Sequence, residues 1–410
     1  MIKIEPFAAI RPVPDKVHLV ASRSYVSYNR RALNEKLSEN PYTFIHVINP
    51  EYNQKGRKSV GRSKYEKVKT RFLDFIKEGV YIQDAKPCIY LYTQTQQVPG
   101  GYSFSGWIAG ASAADYLNQK IKVHEHTLTA REEMFKDYLD VTGFNAEPVL
   151  LSHPQNEELR NLKNELMMQR PEYDFTSTNK DRHQLWKLED PEKIKQIQEQ
   201  FAQFDALYIA DGHHRSASSA LLSQETNRPE AKNFLACFME EQEMAIYDFN
   251  RLIRDSGGID VEVFLRLIKR SLNIEESYLE EPCPAGGFKF YVPGQWYKAV
   301  FPSRENENPV EKLEAHKLSE YVLGPIFDVA DLRTDKRVFF KGGKSGHLGL
   351  QDAVDAGEAE YAFALPPVKI EEIKAVADAG LCMPPKSTYI EPKLRSGLTI
   401  YPLESDLMKL

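Results

Sequence analysis

The sequence predicts an α+β protein with mixed sheets and flanking helices, and three observations predict it. Residues 191–222 read as helix, strand, turn and helix in direct succession. The runs "PCIYLYTQT" and "YSFSGWIAGAS" are strand-like and meet at a Pro-Gly-Gly turn, a hairpin signal. Beyond Asn250 the strands shorten, as in "FKFYVPGQWYKAVF", with helices near 260–271 and 312–323.

Taken in order, residues 1–50 read as short strands and turns, including "TFIHVINP" as a strand closed by Asn-Pro. From Lys55 to Arg71 there are eight Lys or Arg and one Glu. The helix there places Tyr65, Val68, Phe72 and Ile76 on one face, so the basic run reads as its solvated face, with anion binding as the alternative. After the hairpin, a short helix is expected at Ala113–Asn118. Another begins near Ala130, capped by Thr127 or Thr129. "PVLLSHP" reads as a strand. Residues 156–169 align Leu159, Leu162, Leu166 and Met167, and residues 191–204 align Ile194, Ile197, Phe201 and Phe204. Both are amphipathic helices. Three regions are expected: an N-terminal α/β region (1–150), a core (151–255) and an α+β region (256–410) whose Lys-Ser-Thr loop returns to the site.

Length and composition bound the function. A chain of 410 residues supports a full core and two or three domains. A net charge of −6 speaks against a protein that coats nucleic acid. The four cysteines, Cys88, Cys237, Cys283 and Cys382, form no CxxC pair and fit a reducing compartment. No stretch reaches the ~18 apolar residues of a spanning helix. The expectation is a soluble cytoplasmic protein with no membrane partner; its oligomeric state is not legible.

The densest chemistry lies in "LYIADGHHRSASSALL" (Leu207–Leu222). The first turn of a helix exposes unpartnered N–H groups at the positive end of its dipole, a ready anion site. Gly212 permits close backbone approach or positive φ. His213, His214 and Arg215 add donors and charge, and Arg forks onto phosphate or carboxylate. Asp211, at the strand end, is placed to act as a base, to bind a metal or to orient a histidine. The plainer alternative is an Asp-Gly turn with surface histidines. A zinc reading draws on His124, His126, His213, His214 and Asp211, without HExxH or a Cys pair.

Two further clusters accompany the box. In "KVHEHT", Glu125 is flanked by His124 and His126; in an extended segment the histidines share one face and Glu125 takes the other. Thr127 lies next to them, and Arg131, one turn into the helix, points back at the same place. In "PPKSTYIEPKLRSGL", three prolines exclude one regular helix. Lys386, Ser387 and Thr388, with Lys393, Arg395 and Ser396 beyond, make a loop able to wrap a phosphate or carboxylate. An ordinary surface loop is the alternative. "FFKGGKSGHLG" fails as a P-loop, because Val338 stands where a glycine is needed. Asn250 and Arg251 in "FNRLIRDSGG" read as core-edge structure.

"NPYTFIHVINPE", "VHEHT", "IADGHHR" and "MPPKSTYIEPKLRSGL", in this order along the chain, resemble domain-of-unknown-function family 1015 over nearly the whole chain. The box alone is similar to that of the ParB/sulfiredoxin-like superfamily, which includes free-serine kinases using ADP or ATP. That resemblance implies a ParB/sulfiredoxin-like core around the box. It also implies Mg²⁺ with ATP or ADP, and phosphate binding by Gly212, His214 and Arg215 with Lys386, Ser387 and Thr388. Glu125, Asp211 and His213 are the catalytic candidates, with Asp211 also the metal ligand. His124, Thr127, Arg131 and Lys393 are the substrate contacts. The implied function is phosphorylation of a small hydroxyl acceptor such as L-serine. The alternatives are a non-catalytic nucleotide- or nucleic-acid-binding regulator and a metal-dependent hydrolase. One departure is "VASRSYVSYN" (Val20–Asn29), where a Pro-Tyr-Asp is expected after "VAS".

Overall fold

A computed structural model describes residues 1–410 apart from 24–27, 53–57, 99, 344, 345, 406 and 410. Parts of the basic run (Lys55, Arg57), of Val20–Asn29, of the Pro-Gly-Gly turn and of "GGKSG" therefore lie outside the described residues. The chain is mixed α+β and divides into two compact units. The first is Met1–Lys122, Thr127–Met244 and Pro392–Leu410; the second is Val123–His126 and Ala245–Glu391. No helix among the described residues is long and apolar enough to cross a membrane.

The first unit is built on a nine-stranded sheet. Its strands are β1 (Ile4–Glu5), β2 (Ile89–Gln96), β3 (Ser103–Ser112), β4 (Ile121–Lys122), β5 (Val149–His153), β6 (Tyr173–Thr176), β7 (Asp181–Leu188), β8 (Leu207–Asp211) and β9 (Asn233–Glu240). The order is β4-β8-β5-β9-β3-β2-β7-β6, with β1 beside β3. Only the β4/β8 and β5/β9 ladders are parallel among these pairs; the others are antiparallel. The expected hairpin is β2–β3. The sheet draws strands from both 1–150 and 151–255, so the division into three regions stays a proposal about folding units.

Helices α1 (Arg62–Lys77), α2 (Thr129–Thr142), α3 (Glu157–Met167), α4 (Pro191–Phe201) and α5 (His213–Glu225) belong to this unit. Val68, Phe72 and Phe75 of α1 are buried in a cluster with Phe44, Val47 and Phe144. The opposite face is solvated, as expected, and several of its cations are paired. Lys67 meets Glu51 at 2.5 Å, Lys69 meets Glu404 at 2.9 Å and Arg71 meets Glu78 at 3.0 Å. α3 and α4 bury the apolar positions that their spacing marks, including Leu159, Leu162 and Leu166 and Ile194, Ile197 and Phe201.

Two local expectations fail. "TFIHVINP" contains a helical turn, Ile45–Ile48, and no strand. Phe44 and Val47, three apart, join the α1 cluster, while Ile45 packs with Leu33 and Leu37. Burial on two sides at that spacing suits a helix and defeats alternation. The cap of α2 is Leu128, with no side-chain hydrogen bond; Thr127 Oγ1 donates to Glu132 instead.

The second unit has a six-stranded sheet of β10 (Phe249–Ile253), β11 (Ile274–Ser277), β12 (Gly287–Val292), β13 (Gln295–Val300), β14 (Val338–Gly342) and β15 (Tyr361–Ala364), in the order β11-β13-β12-β15-β10-β14. One face carries an aromatic core that includes Phe264, Phe288, Phe290, Phe327 and Phe363. The other packs Leu350, Ala353 and Val354 against Leu252 and Ala362. The two helices expected here are observed: α6 (Val261–Ile268), and Glu314–Leu318, which runs through a π turn into Gly324–Phe327.

Candidate anion site at the Gly212 turn

The geometry starts from strand order. β5 runs antiparallel to β8, with Asp211 opposite Leu150 after a bulge. The start of β5 therefore lies beside the end of β8, and Glu147 and Pro148, just before β5, flank the turn. Gly212 takes φ +104°, and a Cβ there would stand 3.1 Å from Arg215 Cζ. Only glycine lets the guanidinium fold back over the turn without strain. The Ser216 N–H donates to Gly212 O at 3.0 Å, so the helical ladder begins here, and no side chain caps the first turn of α5. The N–H groups at that end point outward from an uncapped helix.

Arg215 Nη2 donates to Asp211 Oδ2 at 2.6 Å, and its Nη1 lies 3.1 Å from Glu147 Oε1 and donates to Pro148 O. Lys393 Nζ donates to Asp211 Oδ1 at 2.9 Å. Glu147 also accepts from Ser396 Oγ at 3.0 Å. The tail is fixed by backbone bonds: Ser396 exchanges N–H···O bonds with Ser22, and the Gly397 N–H donates to Ala146 O. Two cations and two carboxylates thus alternate around the uncapped end. The Asp211 side chain is 36% exposed and the Lys393 side chain 37%, which leaves the group open to solvent. Burial works against ionising Asp211, but Lys393 and Arg215 outweigh it and hold the carboxyl at about 2.

His213 is buried beside Asp211, and its charge would add to that effect. Burial, then the positive charge of Arg131, lowers His214 below the ordinary imidazole value. His214 Nδ1 is buried with no hydrogen-bond partner among the described residues. Arg131, at the start of α2, is exposed.

Of the sequence candidates, Asp211, Gly212, Arg215 and Lys393 come together, with His213 and His214 on the same turn. Glu147 was not among them. It is a carboxylate before a strand, and only the β5/β8 pairing, between segments some 60 residues apart in sequence, brings it to the box. His124, Glu125, Lys386, Ser387 and Thr388 belong to the second unit. There the Met383 N–H donates to His124 O at 2.8 Å, and Glu125 lies close enough to Cys382 to raise its thiol further after burial has done so. Glu125 sits at a bend, so the two histidines do not share a face as expected. His124 is buried, with its imidazole pushed down to about 4, and His126 is exposed. Ser387 Oγ closes its own turn on Pro384 O at 2.8 Å.

Both Asp211 oxygens already accept from a cation, so a Mg²⁺ at this carboxylate would have to share it with the positive charges of Lys393 and Arg215. As built, the residues fit an anion better than a metal. Among the described residues no three His, Cys, Asp or Glu side chains are grouped to hold an ion.

The family profile described as "Protein of unknown function (DUF1015)" matches residues 4–316. The chain belongs to that family. No curated protein matches. Among solved structures, this DUF1015 chain is similar to a free serine kinase in complex with AMP, at 14% identity over 71% of this chain and 91% of that one, with a TM-score of 0.37. It is also similar to C-terminally truncated SbnI from Staphylococcus aureus, at 14% identity over 73% and 90%, TM-score 0.39. A conserved hypothetical protein from Pyrococcus furiosus matches at 15% identity over 72% and 95%, TM-score 0.35. The expected remote likeness to free-serine kinases is present. At these scores it carries nothing about activity.

Proposed function

We propose that this DUF1015 protein is a nucleotide-dependent phosphotransferase acting on the hydroxyl of a small acceptor, with free L-serine as the leading acceptor and ATP or ADP as donor. The observation that carries the reading is the Arg215–Asp211–Lys393 group at the glycine-opened, uncapped start of α5. Phosphoryl transfer asks little covalent chemistry of a protein; it asks for position and charge neutralisation. In this reading the α5 N–H groups and Arg215 take the phosphate oxygens, and Lys393 turns from Asp211 to the same anion. The acceptor oxygen forms its bond to phosphorus as the bond to the nucleotide breaks, and the hydroxyl proton passes to a base.

Asp211 is a poor choice for that base. A carboxyl held at about 2 has little drive to take a proton near neutral pH. Its part is to hold Arg215 in place, and Lys393 until the anion arrives. Glu125 is the base that the family resemblance implies, and on that expectation Glu125→Gln should cut turnover ~10²-fold or more while leaving nucleotide affinity nearly intact. Mg²⁺, when bound, would supply charge neutralisation on the nucleotide phosphates. The regulator reading draws on the basic run, three of whose cations, Lys67, Lys69 and Arg71, already face carboxylates.

The test is incubation with L-serine and either Mg-ATP or Mg-ADP, followed by ³¹P NMR. Phosphoserine accumulating in step with nucleotide consumption, and lost in Arg215→Ala, is the expected result. Nucleotide left intact with serine and with a panel of other small hydroxyl acceptors refutes the reading.

A further inference from the structure

A second feature lies wholly within the second unit. Arg251, at the centre of β10, is completely buried. Side chains alternate along a strand, so Phe249, Arg251 and Ile253 share a face. Phe340 of β14 stands opposite Arg251 in register. The guanidinium carbon lies 5.6 Å from the Phe340 ring centre, and Nη1 donates to Phe249 O. Nε and Nη2 have no hydrogen-bond partner among the described residues. Burial pushes the group down to about 9, so it is charged at neutral pH. The nearest acid in sequence, Asp248, is turned to Asn250 Nδ2, and Asn250 Oδ1 accepts from the Leu365 N–H.

The unpartnered edge is a specific one. Nε and Nη2 form the side-on fork of a guanidinium, the edge that grips two oxygens of one oxyanion. The first unit shows it in use: Arg11 Nε and Nη2 each donate to an oxygen of Asp84 at 2.8 Å. Arg251 presents the same edge with no acid on it.

A second cation stands on the same aromatic group. Lys386 Nζ lies 5.7 Å from the Phe249 ring centre, and the Phe249 and Phe340 centres are 6.1 Å apart. Lys386 is exposed and takes φ +57°, a left-handed conformation that costs a non-glycine residue energy and marks a constrained loop. Gly342 and Gly343 let Tyr389 close on this group; a Cβ at either would come within about 3 Å of its ring.

We propose that Arg251 and Lys386 form a second anion-binding site, in the second unit, for a small oxyanion: a carboxylate or a phosphate gripped by the Nε/Nη2 edge. Keeping a charged fork buried without acceptors carries a large desolvation cost, and a hydrophobic residue of similar size would remove it. A bound oxyanion supplies the missing acceptors and gives that cost a purpose. Lys386, on its exposed loop, supplies the second charge from the solvent side.

The full chain is dialysed to equilibrium against inorganic phosphate, and separately against malonate as a carboxylate. Wild type is expected to take two equivalents of at least one of these anions. Arg215→Ala removes one equivalent and leaves the other. Lys386→Ala weakens that other equivalent at least ten-fold, and Arg251→Met removes it. Lys386 is exposed, so its variant reports even if Arg251→Met does not fold. The two probes say whether the site prefers carboxylate or phosphate. The proposal is overturned if wild type takes a single equivalent that Arg215→Ala abolishes, if it takes none, or if the second equivalent ignores Lys386→Ala. Loss of the Arg215-sensitive equivalent alone would instead count against the phosphotransferase reading.

Discussion

Replacing Arg215 by Ala separates a binding role from a structural one, and the expected size of each effect follows from the contacts. Arg215 gives hydrogen bonds to Asp211 and Pro148 and forms an ion pair with Glu147. Its removal strands neither carboxylate. Asp211 keeps Lys393 at 2.9 Å, and Glu147 keeps Ser396 at 3.0 Å. The Arg215 side chain is a quarter exposed, so water replaces part of what is lost. Partly exposed pairs of this kind contribute at most about 1 kcal/mol, so the melting temperature should fall by only a few degrees. A bound phosphate loses more, because one hydrogen bond to a charged group is worth about 1.5–3 kcal/mol. The dissociation constant for Mg-ATP or Mg-ADP therefore rises roughly 10- to 150-fold. Arg215→Lys keeps the charge without the fork and should fall between. Calorimetric titration of the three proteins at two salt concentrations reads this directly. Unchanged affinity in a well-folded Arg215→Ala protein, or a collapse in stability with no selective loss of binding, would refute the reasoning.

Gly212→Ala forces a side chain into positive φ and against the guanidinium, so it should cost about 1–3 kcal/mol and weaken nucleotide binding with it, as denaturant melts and titrations will show. Arg11 and Asp84 form a buried, two-pronged pair that Tyr90 joins at 2.8 Å. Asp84→Ala leaves the buried Arg11 with only the partly exposed Glu172 at 3.2 Å as an acid partner and should cost about 3 kcal/mol, whereas the double change to Arg11→Met with Asp84→Leu should recover most of it. His153 and His183 are buried, with imidazoles lowered by burial to about 4 and about 3. The unfolded chain takes up their protons first as pH falls below about 6.5, so stability is full above that value and declines toward pH 4, by up to about 1.4 kcal/mol per pH unit for each group. Urea melts at pH 7 and pH 5 check the sign; equal stability at both would count against it.

The elements were legible where the local period was strong. α3, α4 and the β2–β3 hairpin announce themselves through apolar spacing and a turn, and the strand–glycine–helix unit through its own residues. Ile45–Ile48 was misread because a single helical turn gives too few positions to separate its period from alternation. The box was legible as a site, but its composition was only half so. Glu147 reaches Arg215 through strand pairing, and Lys393 reaches Asp211 across 182 residues of chain. Neither relation leaves a local trace. The bend at Glu125, which parts His124 from His126, is likewise set by surroundings that the short motif does not encode. Arg251 reads in the sequence as core-edge structure beside Asn250, and its complete burial and missing partners leave no local trace.

The tail that holds Lys393 and Ser396 also sets when the Gly212 site can exist. A ribosome adding about 5–20 residues per second needs roughly 10 to 40 seconds to travel from Asp211 to Lys393. During that interval Asp211 and Glu147 are already made, while Lys393 and Ser396 are not, and Ala245–Glu391 of the second unit is synthesised in between. A nascent chain therefore carries the box without its lysine. Whatever the Gly212 turn binds, it binds with both cations only once the Lys393 segment has been added, so the order of synthesis acts as a timer on the site.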